Sequence, residues 1–247
     1  MRAILMYHSI DSSGSPISVD VAALRRHAEW LAAAPVRVTG LADLVEGPAE
    51  EDAIAITFDD GFENFRSVAW PILRGHGIPV TLFIVTDHVG SDNRWGGRRQ
   101  HGIPTLPLLG WDALGELAEE GVRLGSHTRS HPHLPALPPE ALQEELAGSA
   151  DRLAMETGRR PEAFAYPYGS VDGRSARAVR TLYRYGCTTE LRCVERSESA
   201  ERLPRLDMIY FRYPGRLETW GGKAFARRLR FRRAARRVRR AVLGGGT

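Results

Sequence analysis

Ala53-Ile54-Ala55-Ile56-Thr57-Phe58-Asp59-Asp60-Gly61 opens as six residues rich in strand formers and closes on two adjacent carboxylates and a glycine. Such a run predicts a buried strand with charge at its mouth. Upstream, residues 4–7 predict a short buried strand and residues 21–34 a helix that Pro35 cannot continue. Downstream, a helix over 64–74 is closed by Gly75 and Gly77, and 80–85 predict the next strand. The alternation continues with a helix over 111–120, a strand over 122–125, a helix over 139–156 and a strand over 163–166. A helix over 174–185, stopped by Gly186, and a last strand over 203–206 complete it.

Strands alternating with helices imply a parallel sheet covered by helices, either open and doubly wound or closed into a barrel. Periodicity leaves both open. Asp59-Asp60, the pair His127 and His131, and Tyr168 each follow a predicted strand, and sites in such folds collect at the carboxyl ends of strands. The loop 87–110, rich in Gly, Arg and Pro, is long enough to wall a substrate site.

A chain of 247 residues with 43% hydrophobic content suffices for one sizeable core, so a single catalytic domain over 1–215 is expected. The apolar start at 3–7 is cut off by His8, Ser9 and Asp11, too early for a secretory leader, and no stretch approaches a membrane span. A cytoplasmic protein is expected. The two cysteines, Cys187 and Cys193, are too few for a disulfide framework and read as reduced thiols. Ten of the 34 basic residues lie at 223–240 without one acid, leaving 24 against 30 acids elsewhere. The basicity thus belongs to an Arg-rich extension, 222–247, and the body is mildly acidic.

Asp60, His127 and His131 offer one anionic and two imidazole ligands, the set a divalent-metal hydrolase uses, with positions left for water and substrate. Adjacent side chains on an extended segment diverge, which frees Asp59 to act as the base.

These residues resemble the polysaccharide deacetylases of carbohydrate esterase family four. Thr57-Phe58-Asp59-Asp60-Gly61 matches the first motif of that family, and Ser126-His127-Thr128-Arg129-Ser130-His131-Pro132 the second. Phe164-Ala165-Tyr166-Pro167-Tyr168-Gly169 resembles the third, and Leu5-Met6-Tyr7-His8 with residues 111–125 extends the likeness over about residues 1–210. The resemblance implies an α/β fold, a deformed (β/α) barrel of about seven parallel strands, and one divalent ion, zinc with cobalt or nickel as alternatives. It implies removal of an acetyl group from an N-acetylated sugar, with Asp59 as base and the Tyr168 amide helping to stabilise the oxyanion.

Two departures stand out. Ala165 replaces the arginine that in many members orients the catalytic aspartate, and Leu203-Pro204-Arg205 stands in place of a Leu-x-His whose histidine protonates the leaving amine. A branch acting on exported poly-N-acetylglucosamine resembles this chain in lacking both and in having an early histidine. His8 therefore becomes the candidate acid, expected across the site from Asp59, with His133 as the other choice. Arg205 either restores the contacts around Asp59 or makes a strand-end salt bridge, and with Trp95 and Tyr168 it is a candidate substrate contact; Trp111 reads as core. Two other functions fit less of the pattern: hydrolysis of a cyclic non-sugar amide, and a weakened carbohydrate-binding scaffold, which would not need a free base beside a metal.

The extension can be drawn as a helix with Phe231, Ala235, Val238 and Val242 on one stripe and arginines elsewhere. That suits an anionic membrane surface, such as the inner membrane face, or a protein partner. Nucleic acid is disfavoured, because no aromatic interleaving or binding module accompanies the arginines.

Overall fold

The computed structural model describes the backbone of residues 1–48 and 50–243 and, except at 237 and 239–243, their side chains. The Val242 side chain of the expected apolar stripe, and residues 244–247 of the expected extension, lie outside the described residues. Seven parallel strands are β1 (Arg2–Tyr7), β2 (Ala53–Phe58), β3 (Val80–Ile84), β4 (Arg123–Ser126), β5 (Ala163–Ala165), β6 (Tyr185–Cys187) and β7 (Leu206–Asp207), paired in the order β7-β1-β2-β3-β4-β5-β6. A short strand, Arg37–Val38, pairs with the start of β2. The sheet curls into a deformed barrel whose two ends meet at a single parallel bridge, Cys187 to Leu203, on the segment that then enters β7.

Every residue of β1, β2 and β3 is buried, because parallel strands are covered on both faces, and this explains their unbroken apolar runs. Period-two alternation divides them. Ala3, Leu5 and Tyr7, with Ile54, Ile56 and Phe58, face the surrounding helices in the main core. Ile4, Ala53, Ala55, Phe83, Ala163, Ala165 and Cys187 belong to a second cluster on the other face of the strands, with Tyr185 and Leu203. A Cβ on Gly125 would lie 2.5 Å from the Phe83 ring, so glycine is required beside it.

The helices are α1 (Val21–Ala33), α2 (Leu41–Glu46), α3 (Trp70–Gly75), α4 (Trp111–Glu119), α5 (Pro139–Thr157), α6 (Gly173–Leu182) and α7 (Lys223–Leu243). The expected helix 64–74 is divided: its first turn, Phe65–Ala69, is a π turn that runs into α3. Trp111 packs against the core with Arg152 over its ring, as expected.

Two expectations are corrected. The helix read through residue 185 ends at Leu182, and Tyr185–Cys187 is the strand β6. Gly186 is not a helix stop: a Cβ there would meet the Glu201 carbonyl oxygen at 2.5 Å, so it lets the closing segment approach β6. The expected boundary before the Arg-rich extension is not a boundary in the packing. Phe225 of α7 is 2% exposed in the main core, Leu229 packs beside it, and the Trp220 ring lies 5.2 Å from Phe225. Burying one such aromatic side chain is worth about 1.5–3 kcal/mol, enough to hold the first turns of α7 on the barrel.

Candidate metal centre

Asp59 and Asp60 end β2, His127 and His131 follow β4, and Tyr168 follows β5, so all five lie at the carboxyl ends of the strands. The non-glycine residues with positive φ among those described are Asp60, Thr128, His131 and Tyr168, every one at this site. Each such backbone costs about 1–3 kcal/mol and persists only where surrounding contacts enforce it. At Asp60 this turn matters directly. The two carboxylates part because Asp60 sits at φ 74, not because an extended strand throws neighbours apart.

Asp60 Oδ1 lies 3.5 Å from His127 Nε2 and 3.6 Å from His131 Nε2, and the two Nε2 atoms are 3.2 Å apart. Tetrahedral ligands at zinc bond lengths of about 2.0–2.1 Å would be spaced about 3.3 Å apart, so the three atoms fit a divalent ion at their centre. All three residues are buried, and Asp60 Oδ1 has no hydrogen-bond partner among the described residues. A buried carboxylate oxygen without a donor calls for a cation. His127 Nδ1–H donates to the Ala165 carbonyl at 2.7 Å, leaving Nε2 as the free lone pair. Burial and the neighbouring His127 push His131 down to about 3, so its imidazole is neutral. For His127, burial opposes protonation but the Asp60 and Asp59 carboxylates raise it overall, marking a place where positive charge is favoured.

Glu145 of α5, which the sequence reading did not single out, shapes the histidine turn. Its carboxylate accepts from the Arg129 N–H at 2.8 Å, the Ser130 N–H at 3.0 Å and the Ser130 hydroxyl at 2.5 Å. The His131 N–H donates to Thr128 Oγ1 at 3.0 Å.

Asp59 is held elsewhere. Arg205 donates to both its oxygens, to Thr57 Oγ1 at 3.2 Å and to the Thr188 carbonyl at 2.9 Å. Burial alone would raise the Asp59 carboxyl; the Arg205 charge, aided by His127, outweighs it and holds the group below the usual range. Arg205 is 0% exposed and lies over Phe83, so the expectation that it contacts substrate is corrected: its donors are spent inside the barrel. The residue that grips Asp59 is thus Arg205, on the segment that pairs with β6 and leads into β7, while Ala165 ends β5.

Trp95 is likewise corrected as a sugar platform. It is 9% exposed, stacked on His131 at 4.6 Å and set edge-on to His88, so it walls the ligand side chain. Tyr168 is 42% exposed, its ring edge-on to His131 and stacked on His133 at 4.1 Å, which puts it at the mouth. His8 is 20% exposed with Nε2 3.8 Å from Asp59 Oδ2. It stands beside Asp59, not across the site as expected.

A parallel barrel that gathers a buried carboxylate and two imidazoles at its strand ends, next to a second carboxylate gripped by arginine, is the frame of a metal-dependent hydrolase. Residues 46–186 match the polysaccharide deacetylase family, and the chain belongs to it. It is 28% identical over 210 residues to YxkH of Bacillus subtilis, covering 82% of this chain and 70% of that protein. It is 25% identical over 212 residues to the poly-beta-1,6-N-acetyl-D-glucosamine N-deacetylase of Staphylococcus epidermidis, covering 78% and 69%. The fold is shared with IcaB from Ammonifex degensii (TM-score 0.71, 23% identity, 90% of this chain and 94% of that one) and with the deacetylase PplD of Streptococcus pyogenes (TM-score 0.70, 22% identity, 83% and 91%).

Proposed function

We propose that the protein hydrolyses the acetamide of an N-acetylated saccharide, releasing acetate and a free amine. The observation that carries this reading is the convergence of Asp60, His127 and His131 beside a separately anchored Asp59, in a chain of the polysaccharide deacetylase family. Zinc is the ion we assign, since one carboxylate and two imidazoles at near-tetrahedral spacing suit it. A divalent ion bound there supplies Lewis-acid polarisation of the carbonyl and a more acidic attacking water.

Asp59 takes the proton of that water. The Arg205 fork keeps it ionised and prevents it from swinging over to become a further ligand. The Tyr168 backbone amide stabilises the oxyanion, and the exposed Tyr168 ring offers a face to the sugar. His8 donates a proton to the departing amine. Its Nε2 lies 3.8 Å from Asp59 Oδ2, which supports an acid acting from the same side of the site as the base.

We infer also that α7 attaches the enzyme to an anionic surface, such as the inner face of a membrane. Phe231 and Val238, seven residues apart on one helix face, are 69% and 63% exposed among arginines, the pattern of an interfacial helix. Among the described residues no helix is long and apolar enough to cross a membrane.

The test is acetate release from N-acetylglucosamine oligomers by the metal-loaded protein and by Asp59→Asn, with small cyclic imides in parallel. The expected result is acetate from the oligomers, reduced about 100-fold or more by Asp59→Asn at unchanged metal content. Turnover of the imides without acetate release from any oligomer would overturn the reading.

A further inference from the structure

A cavity of about 450 Å³ opens on the same end of the barrel as the metal-ligand set, one turn away from it. Its walls are Gly169 after β5, residues 188–192 after β6, and the inward face of α7. The Tyr168-Gly169 turn is the partition between the two spaces: the Tyr168 ring packs on His131, while a Cβ on Gly169 would lie 2.0 Å from Thr189 Oγ1. The cavity and the candidate active site therefore lie on the two sides of the Tyr168-Gly169 turn.

Four guanidinium groups line this space, from Arg192, Arg202, Arg233 and Arg236, against two carboxylates, Glu190 and Glu198. They are not equivalent. Arg192 is saturated, bound by Glu198 and Glu190, and Arg233 reaches Glu190 only at 3.8 Å. Arg202 gives one N–H to the Asp172 carbonyl and Arg236 lies over the Tyr210 ring, and neither is ion-paired to a carboxylate among the described residues. Arg236 Nη1 is buried without any hydrogen-bond partner among them. A guanidinium at a cavity wall without a carboxylate partner favours an oxyanion acceptor. Arg202, from the turn Ala200–Arg202, and Arg236, from α7, are on different elements of the lining and offer forked donors of the kind that bind phosphate.

We propose that this cavity is an anion subsite that holds the phosphate of a phosphorylated saccharide while the acetamide of the same molecule lies at the metal-ligand set. The inference rests on the deacetylase reading for the identity of the saccharide. It adds the charge of the substrate, and it gives the inward face of α7 a function separate from its outward apolar stripe.

The test is direct binding, read apart from turnover. N-acetylglucosamine 1-phosphate and inorganic phosphate are titrated by calorimetry into the full-length metal-loaded protein, Arg202→Ala, Arg236→Ala, and Arg25→Ala, which removes an exposed charge outside the cavity. Both probes should bind the unaltered protein, and each cavity variant should weaken them about ten-fold, the scale of one charge-assisted hydrogen bond lost. Arg25→Ala should not. Because Arg202 and Arg236 lie on different elements, poor docking of α7 in Arg236→Ala cannot account for a loss in Arg202→Ala. Inorganic phosphate should still bind His127→Ala, and Arg202→Ala should keep its attachment to vesicles containing phosphatidylserine. Equal phosphate affinity in all arginine variants, loss of phosphate binding in His127→Ala, or loss of vesicle attachment in Arg202→Ala would each overturn the subsite, assigning the anion to no site, to the metal or to a lipid headgroup. If phosphate binding depends on Arg202 and Arg236 but no acetate is ever released, it is the deacetylase reading that fails.

Discussion

Arg205 Nη1 donates to Asp59 Oδ1 at 2.6 Å and Arg205 Nη2 to Oδ2 at 2.7 Å, and both side chains are buried. Deleting one member of such a pair leaves an uncompensated buried charge, which costs about 3–5 kcal/mol. Arg205→Ala is thus expected to lower stability by that amount in urea unfolding and to reduce turnover strongly. Arg205→Lys, which keeps the charge but not the fork, should fall between the two. An Arg205→Ala protein as stable and active as the parent would show that the pair neither anchors Asp59 nor supports the barrel.

Metal content provides the second test. The protein should carry about one divalent ion, and Asp60→Ala, His127→Ala and His131→Ala should each lose it, because a three-ligand site tolerates no deletion. Elemental analysis after dialysis reads this. Glu145→Gln should keep the ion with weaker affinity, since Glu145 only shapes the turn that carries His131.

His8→Ala is expected to keep the ion and to lose most activity on an acetamide while losing less on an acetyl ester. An amine leaves poorly without a proton, whereas an alkoxide is the better leaving group. Equal losses on both substrates would move the proton donor to His133, which stacks on Tyr168 at the mouth.

For α7, Phe231→Glu with Val238→Glu should weaken co-sedimentation with anionic vesicles about ten-fold or more while leaving the melting temperature unchanged. Both side chains point to solvent, and each would otherwise bury apolar surface in the headgroup region. Phe225→Ala should do the reverse, lowering stability by about 3–5 kcal/mol, because its ring lies in the core.

His27 sets a pH dependence of folding. Its Nε2–H donates to the Phe211 carbonyl and its Nδ1 accepts from the Tyr7 hydroxyl, and burial lowers it to about 4. The unfolded chain titrates near 6.5 and so binds the proton first as pH falls. Stability from this group is whole above about pH 6.5 and declines toward pH 4, by about 3 kcal/mol in all. His27→Gln, which cannot titrate, should show a shallower loss of melting temperature over that interval.

Much of this molecule is decided within a few residues of sequence. The strands β1, β2 and β3 are legible because burial on both faces demands continuous apolar residues, and the metal ligands because each follows a strand in a motif with fixed spacing. Strand β6 is not legible, since three residues after a helix carry no period and its glycine answers to the Glu201 carbonyl rather than to the helix. The rest depends on what the barrel brings together. Asp59 and Arg205 are 146 positions apart, so their pairing cannot be read until β7 closes against β1. Packing likewise buries Trp95 against His131, sets His8 beside Asp59, and splits the arginines of α7 between a cavity wall and open solvent. Local preference specifies which elements form; only packing decides which face of each element, and which distant charge, a side chain meets.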